Sequence, residues 1–211
     1  MANRNLPLGD TDLARVTGVL LAAGAGTRLG RGPKALLPYR GRALVEIAAE
    51  TLLAGGCQEV VVVLGADAQA VSAGANLEPY RIVLNHDWSS GMGSSFLAGD
   101  AAAHANSHIL VALVDQPGLT VSTVSRLLVS HQPGRITSAA YSSADSPGVL
   151  RRGHPMVIDA GLRPAVASTV YGDAGARGFL RQKPWLVDLI DCSDESTGED
   201  VDTIEQMHRL L

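Results

Sequence analysis

The stretch VTGVLLAAGAGTRLGRGPK, Val16–Lys34, decides how the chain is read. Its first eight residues are nearly all apolar, and turn glycines follow at once. An apolar run of that length closed by glycine reads as a strand buried on both faces, the kind that parallel sheets use. Next comes a glycine-rich turn carrying Arg28 and Lys34. Two familiar glycine signatures fail here on spacing. A dinucleotide fingerprint, G-x-G-x-x-G, finds Gly24 and Gly26 but then Leu29, and the second strand ends at Gly65 rather than at an acidic residue. A P-loop needs Ser or Thr after its lysine; Lys34 comes late and is followed by Ala35. What remains is a backbone cradle with two fixed cations. Free amides of the turn point at oxyanions, Arg28 can fork onto two phosphate oxygens, and Lys34 adds a point charge. Two cations suit a triphosphate whose leaving group must be neutralised. A tight strand-to-helix turn with solvated charges is the plainer alternative.

Outward from this turn, strands and helices alternate. Ala43–Ala54 has helical spacing and stops at Gly55-Gly56. Glu59–Leu64 reads as a second buried strand, Gln69–Ala73 as a short helix and Arg81–Leu84 as a third strand. A Gly/Ser-rich loop, NHDWSSGMGSSFLAG, leads into an alanine-rich helix with Ser94 and Ser95 near its first turn. His108–Val114 is a fourth buried strand, ending on Asp115. Pro117 and Thr120 set up a helix to about His131. The alternation predicts an α/β fold, a mostly parallel Rossmann-like sheet flanked by helices. After Arg135 the pattern loosens. RITSAAYSS and GVLRRGHPMVI read as strands around a polar loop, with helices over Leu162–Ala167 and Ala174–Gln182. WLVDLI reads as a late strand and Ile204–Leu211 as a final helix. This half is expected to form a small C-terminal cap on the same sheet. Residues 1–15 read as a polar tail and 16–211 as one domain.

Composition narrows the partners. The 211 residues are 46% hydrophobic but only 4% aromatic and 18% charged, which points to a core of Ala, Val and Leu. A net charge of −4 leaves no electrostatic footprint for nucleic acid. No apolar run reaches membrane-spanning length and no secretory signal opens the chain. Cys57 and Cys192 lack metal-ligand spacing and read as reduced, buried residues of a cytoplasmic protein.

LAAGAGTRLGRGPKALL resembles the signature of the MobA-like nucleotidyltransferases, which join a nucleotide to molybdopterin. NHDWSSGMGSSFLAG, LVDQPGLT, GHP, GDAGARGFL and EDVDTIEQ resemble the family's later blocks, in order, over about residues 16–210. The resemblance implies a nucleotide-diphospho-sugar transferase-like fold. Within the family the match is nearest to the molybdenum cofactor cytidylyltransferases. The guanylyl branch carries L-A-G-G where this chain has Leu21, Ala22, Ala23 and Gly24, and the extra methyl at Ala23 leaves less room beside the base, which favours a pyrimidine. The implied reaction is transfer of a cytidylyl group from CTP to the molybdopterin phosphate, releasing pyrophosphate. A molybdoenzyme or its chaperone is a further partner this would admit. The last block departs from the usual D-I-D-T-P-E-D: it keeps Asp200 and Asp202 but lacks the Pro and final Asp. Some relatives are called nicotine blue oxidoreductase, so an NAD(P)H-dependent oxidoreductase on the same scaffold stays open. A non-catalytic carrier of the finished dinucleotide also stays open.

Roles follow for single residues. Asp115, at a strand's carboxyl end, suits Mg2+ (or Mn2+), with Asp202 as second ligand. Arg28 and Lys34 would hold the triphosphate, Gly24 and Gly26 keep the backbone close, and Gly65 ends the neighbouring strand beside the nucleotide. Ser94 and Ser95 would donate to ribose or phosphate, or simply cap their helix. Trp88, Met92, His154, Asp173 and Arg177 would line the acceptor pocket, where Arg177 could meet the acceptor's phosphate.

Overall fold

A computed structural model describes residues 15–26, 30, 32–143 and 146–210. Arg28, most of the expected polar tail and Leu211 lie outside the described residues.

The strands are β1 (Val16–Ala22), β2 (Pro38–Tyr39), β3 (Arg42–Ala43), β4 (Glu59–Leu64), β5 (Arg81–Leu84), β6 (His108–Leu113), β7 (Ile136–Ser143), β8 (Ser146–Ile158) and β9 (Val187–Asp191). The α-helices are α1 (Leu44–Ala54), α2 (Ala68–Gly74), α3 (Met92–Ala102), α4 (Val121–Ser130), α5 (Arg163–Ala167) and α6 (Arg177–Gln182). β2 and β3 pair only with each other; the remaining seven form one sheet in the order β5-β4-β1-β6-β8-β7-β9. β5, β4, β1 and β6 are mutually parallel, as the strand–helix alternation requires. The Rossmann-like expectation therefore holds for this half.

Both faces of the central strands are covered, which explains their near-continuous apolar sequence. Leu20, Ala22, Val62, Leu64, Leu110 and Ala112 pack under α1 and α4 on one face. Val19, Leu21, Val61, Val63, Ile109 and Val111 meet Phe96, Val166, Phe179 and Leu180 on the other. Val19 pairs with Val61 on one side and Val111 on the other, so a single valine row crosses three strands. With so few aromatics the helices must sit close. A Cβ on Gly99 of α3 would lie 2.4 Å from Val19 Cγ1, and one on Gly55 would lie 2.4 Å from Val124 Cβ.

The second half differs in detail from the sequence expectation. β8 turns back and runs antiparallel between β6 and β7, while β9 runs parallel to β7 at the edge. Pairing of β7 with β8 reaches Ser143 and Ser146, so most of the expected polar loop is hairpin strand. The helix expected from Ala174 starts at Arg177, because Gly175 at φ +48° breaks the backbone after a 3-10 turn over Gly172–Ala174. Trp185 belongs to a Pro184–Leu186 3-10 turn and β9 begins only at Val187. The last segment is a 3-10 helix, Ile204–Leu210. Thr120 caps α4 as expected, its Oγ1 accepting from Thr123 N–H at 3.0 Å. Both cysteines are free and buried, and burial pushes the Cys57 thiol up to about 12, against a nucleophilic role. Among the described residues no helix is long and apolar enough to cross a membrane.

Two stability predictions follow. In an exposed helix Gly→Ala stabilises by about 1 kcal/mol. Gly99→Ala should instead destabilise by about 1–3 kcal/mol in urea unfolding, because the methyl overlaps Val19. At the amino end of the sheet, burial and the neighbouring His108 ring push His131 down to about 4 from its ordinary value near 6.5. As pH falls through 6.5 the unfolded chain takes up this proton first. His131 should therefore withdraw on the order of 2–3 kcal/mol of stability between about pH 6.5 and 4. The drop should be smaller by that amount in His131→Asn.

Candidate functional site

The sheet reverses winding direction between β1 and β6, and open α/β sheets bind ligands at the carboxyl ends of such a pair. Two adjoining cavities open there. The first, about 400 Å3, is lined by Leu21, Ala23, Gly24, Lys34, Trp88, Met92, Ser95 and Asp115, among others. The second, about 770 Å3, takes in Gln116, Arg152, His154, Arg177, Asp200 and Asp202. Met92, Leu113, Asp115 and Asp173 belong to both walls, so the two cavities share a border.

The centre of this rim is an ammonium shared by two carboxylates. Lys34 Nζ donates to Asp115 Oδ2 at 2.8 Å and to Asp202 Oδ1. Three distant stretches meet here: the loop after β1, the end of β6 and the segment before the last 3-10 helix. Val201 N–H donates to Asp115 O at 2.8 Å and fixes the last of these to the second. Burial acts against the Lys34 charge, but both aspartates outweigh it and raise its pKa, so the ammonium persists well above neutral pH. Asp200 stands beside the pair. Burial, then the Asp115 charge, raises its carboxyl pKa, and Gln116 Nε2 restrains it by donating to Oδ1 at 2.8 Å. Three carboxylates with oxygen donors only are a fitting set for a hard divalent cation.

The first cavity owes its shape to close backbone approaches. A Cβ on Gly65 would lie 2.6 Å from Trp88 Cβ and 2.8 Å from Ala23 Cβ, so this glycine seats the tryptophan loop against the β1 turn. A Cβ on Gly26, which sits at φ +61°, would lie 2.5 Å from Gly32 O and 3.2 Å from Lys34 N, so only glycine lets the β1 loop fold back onto Lys34. Asn85, buried after β5, donates Nδ2 to Ser94 Oγ at 2.8 Å and Ser95 Oγ at 3.0 Å. Ser94 in turn donates within its own loop, to Asp87 O or Gly91 O. Asp173 Oδ1 accepts from Met92 N–H at the start of α3, at 3.3 Å.

In the second cavity His154 is neutral at pH 7. Burial, then the Arg177 and Arg152 charges, pushes its imidazole down to about 4. Burial and Arg177 also lower the Arg152 pKa. Among the described residues neither arginine forms an ion pair. The two guanidinium groups face a cavity whose wall also carries Asp115, Asp173, Asp200 and Asp202, so an acceptor there meets both signs of charge.

Most residues singled out from the sequence converge on this rim: Leu21, Ala23, Gly24, Lys34, Ser95, Trp88, Met92, Asp115, His154, Asp173, Arg177 and Asp202 line one cavity or both. Ala22, Gly26, Gly65 and Ser94 do not. The Ala22 methyl lies in the core beneath α1, and the other three shape loops as described. Arg28 falls outside the described residues. Sequence reasoning missed Arg152 and Asn85. Asn85 follows a strand directly, a polar residue where the chain enters the Trp88 loop; Arg152 carried no local signal in a strand with two consecutive arginines.

Residues 18–187 match the MobA-like NTP transferase domain family. The chain is 86% identical over 204 residues to a nicotine blue oxidoreductase of Paenarthrobacter nicotinovorans, covering 97% of this chain and 100% of that protein. It is 32% identical to a molybdenum cofactor guanylyltransferase of Xanthomonas euvesicatoria, over 92% of this chain and 94% of that one. Among solved structures it is similar to Rv0371c of Mycobacterium tuberculosis in complex with manganese, with a TM-score of 0.76, 27% identity and coverage of 93% and 98%.

Lys34 is the lysine that lines the first cavity. Lys34→Ala should weaken nucleotide binding by roughly 100-fold in calorimetry, about 2–3 kcal/mol. Unchanged affinity would remove the rim from the nucleotide's path.

Proposed function

Because this chain belongs to the MobA-like NTP transferase family, its nucleotide site is taken as given, and we propose that the site serves NAD(P)H-dependent reduction of a conjugated pigment. The observation that carries this reading is 86% identity across the whole length of a nicotine blue oxidoreductase. The site fits it. Leu21, Trp88, Met92 and Leu113 offer apolar walls for a flat ring and exclude water from it. Lys34 would hold the dinucleotide phosphates. A reduced nicotinamide bound here would supply the hydride, with the accompanying proton coming from solvent. The products are NAD(P)+ and the two-electron-reduced pigment. As the acceptor gains the hydride, negative charge grows on its heteroatoms, and Arg152 and Arg177 are placed to stabilise it. With reduced cysteines and this cofactor, the reading keeps the chain in the cytoplasm.

A second reading is cytidylyl transfer from CTP to molybdopterin, favoured by the carboxylate cluster and by the guanylyltransferase relative. Asp115 and Asp202 would then hold Mg2+ or Mn2+, which neutralises phosphate oxygens. Lys34, with Arg28, would stabilise the departing pyrophosphate, and the Ala23 methyl would narrow the base pocket. A molybdoenzyme or its chaperone would receive the product.

One pair of assays separates the two. On the first reading, nicotinamide absorbance falls when the chain, NADH or NADPH and the blue pigment are mixed, and Asp115→Asn keeps that rate within about 3-fold. On the second, CTP, Mg2+ and molybdopterin yield pyrophosphate, and Asp115→Asn lowers the rate by about 100-fold or more. Pyrophosphate release without any pigment-dependent oxidation of NADH or NADPH would overturn the first.

A further inference from the structure

At the opposite end of the sheet from the nucleotide rim, three side chains from three segments face one point. His108 opens β6, His131 follows the last turn of α4, and Asp159 follows β8. Asp115 lies just past the other end of β6, about 23 Å from His108 at strand rise. No residue of the cluster lines the cavities described above.

The arrangement has the form of a cation site. One ligand atom from each residue lies within 4.8 Å of the others. His108 Nδ1 is 3.4 Å from Asp159 Oδ2, and His131 Nε2 is 3.9 Å from the same oxygen. Two ligands about 2.0–2.1 Å from one tetrahedral ion stand about 3.4 Å apart, so a small contraction closes the set. The second observation is independent. His131 Nε2 is buried without a hydrogen-bond partner among the described residues, and its side chain is only 6% exposed. A buried nitrogen left unpaired is unfavourable unless something takes its lone pair.

The supporting contacts orient these lone pairs inward. His131 Nδ1 lies 2.9 Å from Thr137 Oγ1. Donation to that hydroxyl fixes the tautomer with a bare Nε2, as ligating histidines require. Asp159 Oδ1 accepts from Gly161 N–H at 2.8 Å, leaving Oδ2 for the rings. The nearby Arg163 charge is matched by Asp100, to which its Nε donates at 2.7 Å, and Asp188 is engaged by Arg135. One contact must yield: Ala160 N–H donates to His108 Nδ1 at 2.9 Å, and an ion would take that lone pair.

We propose that His108, His131 and Asp159 bind a borderline divalent ion of the Zn2+ type, with water as fourth ligand. Two imidazoles and one carboxylate select such an ion over Mg2+, which prefers oxygen alone. The ion clips the start of β6, the end of α4 and the end of β8 together. It stabilises the fold by binding the native state and not the unfolded chain.

The test is titration of the metal-free full chain with Co2+ and with Zn2+, following visible Co2+ absorption and thermal unfolding. Asp115→Asn/Asp202→Asn, which removes the carboxylate pair at the other rim, should keep one equivalent of Co2+ with the strong visible bands of a four-coordinate site. It should also keep a Zn2+-dependent rise in Tm. His131→Gln and Asp159→Asn should each weaken Co2+ binding by on the order of 100-fold and abolish both signals. Absence of the bands in the wild-type chain, or their survival in His131→Gln and Asp159→Asn, would overturn the assignment.

Discussion

A single ammonium stands between carboxylates that the chain order keeps far apart. Lys34 reaches Asp115 across 81 positions and Asp202 across 168. Asp115, Asp200 and Asp202 all border the same cavity, and three partly buried carboxylates repel one another. The Lys34 ammonium offsets that repulsion for the two it bonds. Asp200 leans toward keeping its proton, its carboxyl raised by burial and by Asp115. The lysine therefore holds the rim together as well as offering charge to a ligand. Anything that takes an aspartate from Lys34, whether a divalent ion or a competing cation, frees the ammonium for phosphate oxygens. The same constellation is compatible with two chemistries, one needing a metal and one not.

The apolar half of the site depends on missing side chains more than on those present. Gly65 lets the Trp88 loop come within van der Waals reach of Ala23, and Gly26 lets the loop after β1 turn back to Lys34. A chain with 4% aromatic residues has few large side chains to fill gaps, so its helices and loops close on glycine and alanine. Gly99 against Val19 and Gly55 against Val124 apply the same solution in the core.

The sequence made the nucleotide half largely legible. The apolar run Glu59–Leu64 is a strand with those bounds because burial on both faces leaves little room for polar interruption, and Arg81–Leu84 is the half-exposed edge strand beside it. Lys34, Asp115 and Asp202 could be placed near one another because the first lies in the loop after β1, the second just past the end of the neighbouring β6, and the third in a recognisable block. The second half was less legible. Antiparallel return of β8 between β6 and β7 leaves no local signature, since pairing partners are set by the whole sheet. Gly175 and Pro184 shifted boundaries by forcing turns where helical or strand periodicity continued. The unpaired state of Arg152, the raised carboxyl of Asp200 and the bare nitrogen of His131 are properties of surroundings. Residue spacing does not encode them.

The placement of β8 has an evolutionary consequence. Arg152, His154 and Met156 lie on that strand, and Asp173–Arg177 follow it, so much of the second cavity's wall belongs to one late stretch of chain, completed by Asp115 and Gln116 after β6 and by Asp200 and Asp202. The nucleotide cradle belongs mainly to the earlier stretch, and the two meet along β6. Changes in the later stretch can exchange one recipient molecule for another while the cradle stays as it was. A scaffold divided this way can diversify its chemistry without relearning how to hold a nucleotide.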